Sequence, residues 1–76
     1  MNRSIDQLCN VIAGALALPR EQVGPESSSS NLPPWTSIGH LQILIAVEAA
    51  FAIRFRTEEI PNLNSVAALA KRLELV

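Results

Sequence analysis

Tyrosine is absent, and Trp35, Phe51 and Phe55 are the whole aromatic complement. These three must therefore supply much of the bulky contact area. A single cysteine, Cys9, excludes an internal disulfide and a cysteine-rich metal site. It follows Leu8 in a helix-forming stretch, where the expected role is that of a small buried hydrophobe rather than a reactive thiol. One histidine, His40, with scattered carboxylates does not make a four-ligand metal centre. Basic residues number six against seven acidic ones. No basic patch carries interleaved aromatics, which weighs against nucleic acid as a partner. The longest apolar runs, residues 11–18 and 43–47, are far below the roughly 18 residues a membrane span needs. The N-terminus lacks the charge pattern and small-residue cleavage site of a signal peptide. A cytoplasmic monomer is the expectation.

What is present fits one small ordered domain. Seventy-six residues leave no room for a second core, and residues 1–76 are expected to form a single unit. A chain of this size buries only about 60% of its unfolded surface, so its stability should be modest. A hydrophobic fraction of 49% with three glycines argues for a helical domain rather than a disordered tail.

The first helix signal is Ser4-Ile5-Asp6-Gln7, which reads as a capping box: Ser4 caps, Gln7 reaches back and Asp6 suits the positive helix end. Ile5, Leu8, Val11, Ile12, Ala15 and Leu16 then fall on one face, and Pro19 stops the helix near Leu18. Residues 20–34 lose all hydrophobic period and include four consecutive serines, so they predict a long solvated loop whose ends are anchored by Val23 and Leu32. A second helix runs from Ser37 to about Phe51, with Ile38, Leu41, Leu44 or Ile45, Val47 or Glu48, and Phe51 as its inward stripe. Residues 52–56 alternate Ile53 and Phe55 against Arg54 and Arg56, an extended link with two apolar side chains turned inward. Thr57 should cap a short helical turn that Pro61 ends. Asn64 or Ser65 then caps a last helix, with Val66, Leu69, Ala70 and Leu73 inward. Three main helices and one short helix make a small all-α bundle.

The stretch that organises this pattern is Leu32-Pro33-Pro34-Trp35-Thr36-Ser37-Ile38-Gly39-His40-Leu41. Two prolines enforce an extended approach, and Thr36 or Ser37 supplies the hydroxyl that caps the helix beginning there. Trp35-Thr36-Ser37-Ile38-Gly39-His40-Leu41, followed by Val47-Glu48 and Phe51-Ala52-Ile53-Arg54-Phe55, resembles the acyl carrier protein family. Thr57-Glu58-Glu59-Ile60 and Leu63-Asn64-Ser65-Val66 resemble that family's third and fourth helices, so the likeness covers nearly the whole chain in order and spacing.

The resemblance implies a four-helix bundle of the acyl carrier type, with a long first loop. It also implies that Ser37 is the attachment point of a 4′-phosphopantetheine arm derived from coenzyme A. A phosphopantetheinyl transferase would install the arm. Its thiol would then carry acyl or aminoacyl groups, brought and removed by separate enzymes of a specialised fatty-acid, polyketide or related pathway. Two departures stand out. The family's usual Asp before the serine is Thr36 here, and positions often acidic on its second helix are Gly39, Gln42 and Ala49, with only Glu48 retained. Dedicated partners, docked through apolar contacts, are therefore expected. Thr36, Ile38, His40, Leu41, Ile45, Glu48 and Ile60 are the candidates for partner docking, with Ile38, Leu41, Ile45 and Ile60 also forming an apolar cleft for an acyl chain.

Catalysis by the chain itself is not expected. Ser37 and His40 share a helix face and could meet, but a hydrolase also needs an orienting third group and an oxyanion hole. The alternative to a carrier is a protein of the same fold that is never modified and simply docks partners through its second helix. Met1 and the clean helix caps point to a stand-alone protein rather than an excised piece.

Overall fold

The computed structural model describes residues 4–75; Met1, the other residues before Ser4 and the last residue of the expected 1–76 domain lie outside the described residues. Within them the protein is all-α, with three α-helices: α1 Ile5–Leu16, α2 Ser37–Phe51 and α3 Val66–Arg72. The long loop holds a 3-10 turn, Arg20–Gln22, and the expected short helix is a 3-10 segment, Thr57–Asn62. No helix among the described residues is long and apolar enough to cross a membrane.

Each α-helix starts on a hydroxyl cap. Ser4 Oγ accepts the Gln7 amide at 3.1 Å, Thr36 Oγ1 the Gly39 amide at 3.1 Å, and Ser65 Oγ the Ala68 amide at 3.0 Å. The capping box expected at α1 is only half formed: the Gln7 side-chain oxygen, Oε1, is buried without a partner instead of reaching back. Both α1 and α2 end on an alanine in the left-handed region, Ala17 with φ 57° and Ala52 with φ 55°. Pro19 therefore follows the stop of α1 instead of causing it.

α1 packs chiefly on α2 and more lightly on α3. Leu8, Cys9, Ile12 and Ala13 meet Ile43, Leu44, Val47 and Phe51, with Val66, Leu69, Ala70 and Leu73 closing the far side. Cys9 is the small buried hydrophobe anticipated, a free thiol with no exposure. Burial pushes its pKa up, and the nearby Arg20 cation opposes this only in part.

Of the inward stripe expected for α2, Leu44, Val47 and Phe51 are buried, but Ile38 and Leu41 are not. Gly39, Ile43, Leu44, Val47 and Phe51 are buried, whereas Ile38, Leu41 and Ile45 are 70%, 52% and 67% exposed. Only Ser37, His40, Gln42 and Glu48 carry polar side chains on this helix, so apolar residues ring it almost completely. Three-and-four counting then finds two equally good stripes. Gly39 decides between them: a Cβ there would lie 2.5 Å from the Pro34 carbonyl oxygen and 3.0 Å from Leu16 Cδ2, so only a bare backbone fits at this contact.

The long loop is tied down rather than freely solvated. Val23 and Leu32 are buried, as anticipated for its anchors. Ser27 is buried as well, its hydroxyl accepting the Gly24 amide at 2.9 Å. Ser28 forms an antiparallel bridge with Ser65, flanked by bonds from the Val66 amide to the Ser27 carbonyl (2.9 Å) and from the Ser29 amide to the Asn64 carbonyl (3.0 Å). Pro33 and Pro34 do not run extended; they form a reverse turn closed by the Trp35 amide on the Leu32 carbonyl at 2.8 Å.

The link after α2 behaves as its alternation implied, with Ile53 and Phe55 half-buried and Arg54 and Arg56 exposed. The cap beyond it differs. Arg56, not Thr57, is the cap residue, its amide donating to Glu59 Oε2 at 2.8 Å, and Pro61 lies inside the 3-10 segment instead of ending it. Arg72 from α3 pairs with the other oxygen of Glu59 and lies over the Phe55 ring.

Two consequences can be measured. Gly14 faces open space within α1, so Gly14→Ala should raise stability by about 1 kcal/mol through helix propensity. Gly39→Ala gains the same propensity but must displace a backbone carbonyl, and should lower stability by about 1–3 kcal/mol in chemical denaturation.

The hydrogen bond from Arg72, aided by that from the Arg56 amide, holds the Glu59 carboxyl below its ordinary value. A depressed carboxyl contributes stability above the ordinary glutamate range and loses it as pH falls through the lowered value. Thermal melts between neutral and strongly acid pH should therefore show a smaller acid loss for Glu59→Gln than for the parent protein.

Candidate functional site

The head of α2 carries the residues that the sequence singled out. Thr36, extended at φ −87° and ψ −177°, takes the capping role, which leaves Ser37 as the first helical residue. With the cap bond assigned to Thr36, the exposed Ser37 hydroxyl has no intramolecular partner. The Gly39 amide goes to Thr36 Oγ1 and the His40 amide to the Thr36 carbonyl, so Ser37 and Ile38 contribute the open amides of this helix end. No acidic residue occupies the first turn. The partial positive charge of the helix terminus is thus uncompensated by any local carboxylate.

His40, a candidate for partner docking, is engaged within the fold. It is half-buried, with Trp35 Nε1 donating to its Nδ1 at 3.0 Å and its Nε2 lying 2.7 Å from the Ile60 carbonyl. An indole N–H can only donate, so Nδ1 is the acceptor and the proton sits on Nε2, which donates to Ile60. Both ring nitrogens are committed, and neither bonds Ser37. The Ser37–His40 meeting allowed by helical spacing does not occur. The imidazole and the Trp35 indole meet edge to edge through the Nε1–Nδ1 bond, with centroids 6.1 Å apart and planes inclined by 25°.

Glu48 is equally committed. Its carboxylate accepts the Phe55 amide at 2.8 Å, fixing the link that follows α2, so the side chain serves the fold as well as the surface. Ile60 is half-buried and packs against the core.

The apolar cleft expected from Ile38, Leu41, Ile45 and Ile60 is not the cavity beside Ser37. The first three side chains lie on an exposed strip of α2, while Ile60 turns toward the core. A cavity of about 230 Å³ does adjoin Ser37, but it is lined by Ser29, Trp35, Thr36, Ser37, His40 and Asn64. Ser29 and Asn64 went unnoticed as site residues in the sequence. They are far apart in the chain and meet only through the Ser28–Ser65 bridge. A serine run opposite a capping Asn-Ser pair is too common a pattern to have signalled it.

Among the described residues, no three metal-ligating side chains converge to hold an ion. In comparisons with known proteins, the chain matches no protein-family model and no curated protein.

The geometry assigns Thr36 and His40 structural duties at this site. Thr36→Ala should cost about 1 kcal/mol of stability, whereas Thr36→Asp retains a capping oxygen and should cost little. His40→Ala strands the Trp35 N–H and the Ile60 carbonyl and should cost about 1–3 kcal/mol, read from urea unfolding followed by Trp35 fluorescence.

Proposed function

We propose that this chain is an acyl carrier protein that holds acyl or aminoacyl groups as thioesters on a 4′-phosphopantetheine arm attached to Ser37. The observation that carries the proposal is the Ser37 hydroxyl: exposed, unpartnered and fixed at the first position of a 15-residue helix whose cap is supplied by its neighbour. The local residues fit the group. A phosphodiester on Ser37 would lie against the open amides of Ser37 and Ile38, at a helix terminus that favours anions and offers no first-turn carboxylate to repel it.

In the modification, Ser37 Oγ forms a bond to the phosphorus of coenzyme A that bears the pantetheine. The diphosphate linkage breaks, adenosine 3′,5′-bisphosphate leaves and the hydroxyl proton passes to the transferase. The arm supplies the thiol on which the thioester is held. Cys9 suits this division of labour, because the chain's own sulfur is sealed in the core and protonated. His40 suits it too, since its committed nitrogens leave Ser37 without a general base of its own. The chain is then a substrate for other enzymes rather than an enzyme.

The partners are a phosphopantetheinyl transferase and the enzymes that load and unload the arm. Ile38, Leu41 and Ile45 form an apolar strip that starts next to Ser37 and runs along α2, suited to docking them. That strip also favours the second reading, an unmodified protein that only docks partners.

Intact mass before and after incubation with coenzyme A and a broad-specificity transferase separates the two. One added phosphopantetheine is expected, and Ser37→Ala should abolish it without loss of stability, because the hydroxyl bonds nothing in the fold. Thr36→Asp, which restores the Asp usual before the serine in the carrier family and thus suits a transferase adapted to it, should modify faster than the parent even though the carboxylate itself does not favour the phosphate. A folded sample that resists several transferases would leave the docking protein as the better reading.

A further inference from the structure

The cavity beside Ser37 has two kinds of wall. On one side lies the half-buried His40 ring, joined edge to edge to Trp35, which is only 3% exposed, and the ring nitrogens of both are already bonded. On the other stand the Ser29 hydroxyl and the Asn64 side-chain amide, neither with a partner in the fold. Their backbones are nonetheless fixed, since the Ser29 amide donates to the Asn64 carbonyl at 3.0 Å within the bridge between the long loop and the start of α3. Ser37 Oγ opens at the rim. An occupant tethered there would meet the His40 ring together with an amide and a hydroxyl carried on a fixed backbone.

We propose that this cavity seats the segment of the arm nearest Ser37, its branched hydroxy-acid unit and first amide. The inference rests on the carrier reading above. That segment carries two geminal methyl groups, which match the His40 ring, and a hydroxyl and an amide, which match Ser29 and Asn64. Size limits the occupant. At about 230 Å³ the cavity lies below the roughly 300–1,000 Å³ typical of sites that enclose a whole small molecule, so it takes a segment of the arm and not the arm with its cargo. The core gives an acyl chain no open entry, because Ile12, Ile43 and Val47 have no exposed surface. The thioester end therefore stays outside, presented to partner enzymes, and the chain does not select cargo by length.

The test begins with protein converted by coenzyme A and a transferase, with intact mass reporting whether the arm is attached. On the modified protein, NMR is used to look for cross-peaks between the arm's geminal methyl protons and the ring protons of Trp35 and His40. The expected result is cross-peaks in the parent and their loss in the Ser29→Ala/Asn64→Ala double variant, which keeps the backbone bond between these residues and remains modifiable. Octanoyl and acetyl loading should leave the thermal midpoint equal. A fully modified protein without those cross-peaks, or with cross-peaks unchanged in the double variant, overturns the seat while leaving the carrier reading intact. A midpoint that rises with acyl length overturns the exposed cargo. Failure of the arm to attach removes the carrier reading and the seat with it.

Discussion

The head of α2 depends on one close approach, in which the Pro34 carbonyl lies directly against the backbone of Gly39. Because nothing projects from Gly39, the Pro33-Pro34 turn can lie on the first turn of the helix. That contact brings the end of α1 within reach through Leu16 and delivers the Trp35 side chain into the core. Trp35 then offers its indole N–H to His40, whose other nitrogen holds the Ile60 carbonyl. Three segments remote in sequence are thus fastened around a single turn of helix. Thr36 completes the end, and Ser37 is left over.

Much of the fold was legible because its punctuation is local. Ser4, Thr36 and Ser65 are cap residues followed by apolar spacing, and a cap bond spans only three residues. The bounds of α2 and the inward set on α3 could be read from such short-range rules. The phase of α2 over its first turns could not. Its apolar residues occur on nearly every side, so counting alone had no privileged direction, and the decision came from a glycine contact with a carbonyl outside the helix. Sequence hydrophobicity has no term for the absence of a side chain.

The site was legible to the same limit. Ser37 stands out by its position, and the structure leaves its hydroxyl free. His40 and Glu48 looked available because exposed polar residues on a helix usually are, yet both bond backbone groups distant in sequence: Ile60 for one, Phe55 for the other. The cleft was misplaced for a related reason. An apolar strip can be counted along one helix, whereas a cavity shared by Ser29, Asn64 and Trp35 exists only once the loop and the last helix have met.

That meeting has a kinetic side. The bridge from Ser28 to Ser65 encloses the whole of α2 and the second 3-10 segment, so it is a long-range closure that rewards the chain only after the helices between are in place. One flanking bond joins Ser27 to Val66, both buried, and the other joins the exposed Ser29 and Asn64, so the same closure ends in the core at one side and at the recess on the other. The wall beside Ser37 is therefore completed by the contact that also seats Val66, and the recess belongs to the finished fold rather than to the helix that bears the serine.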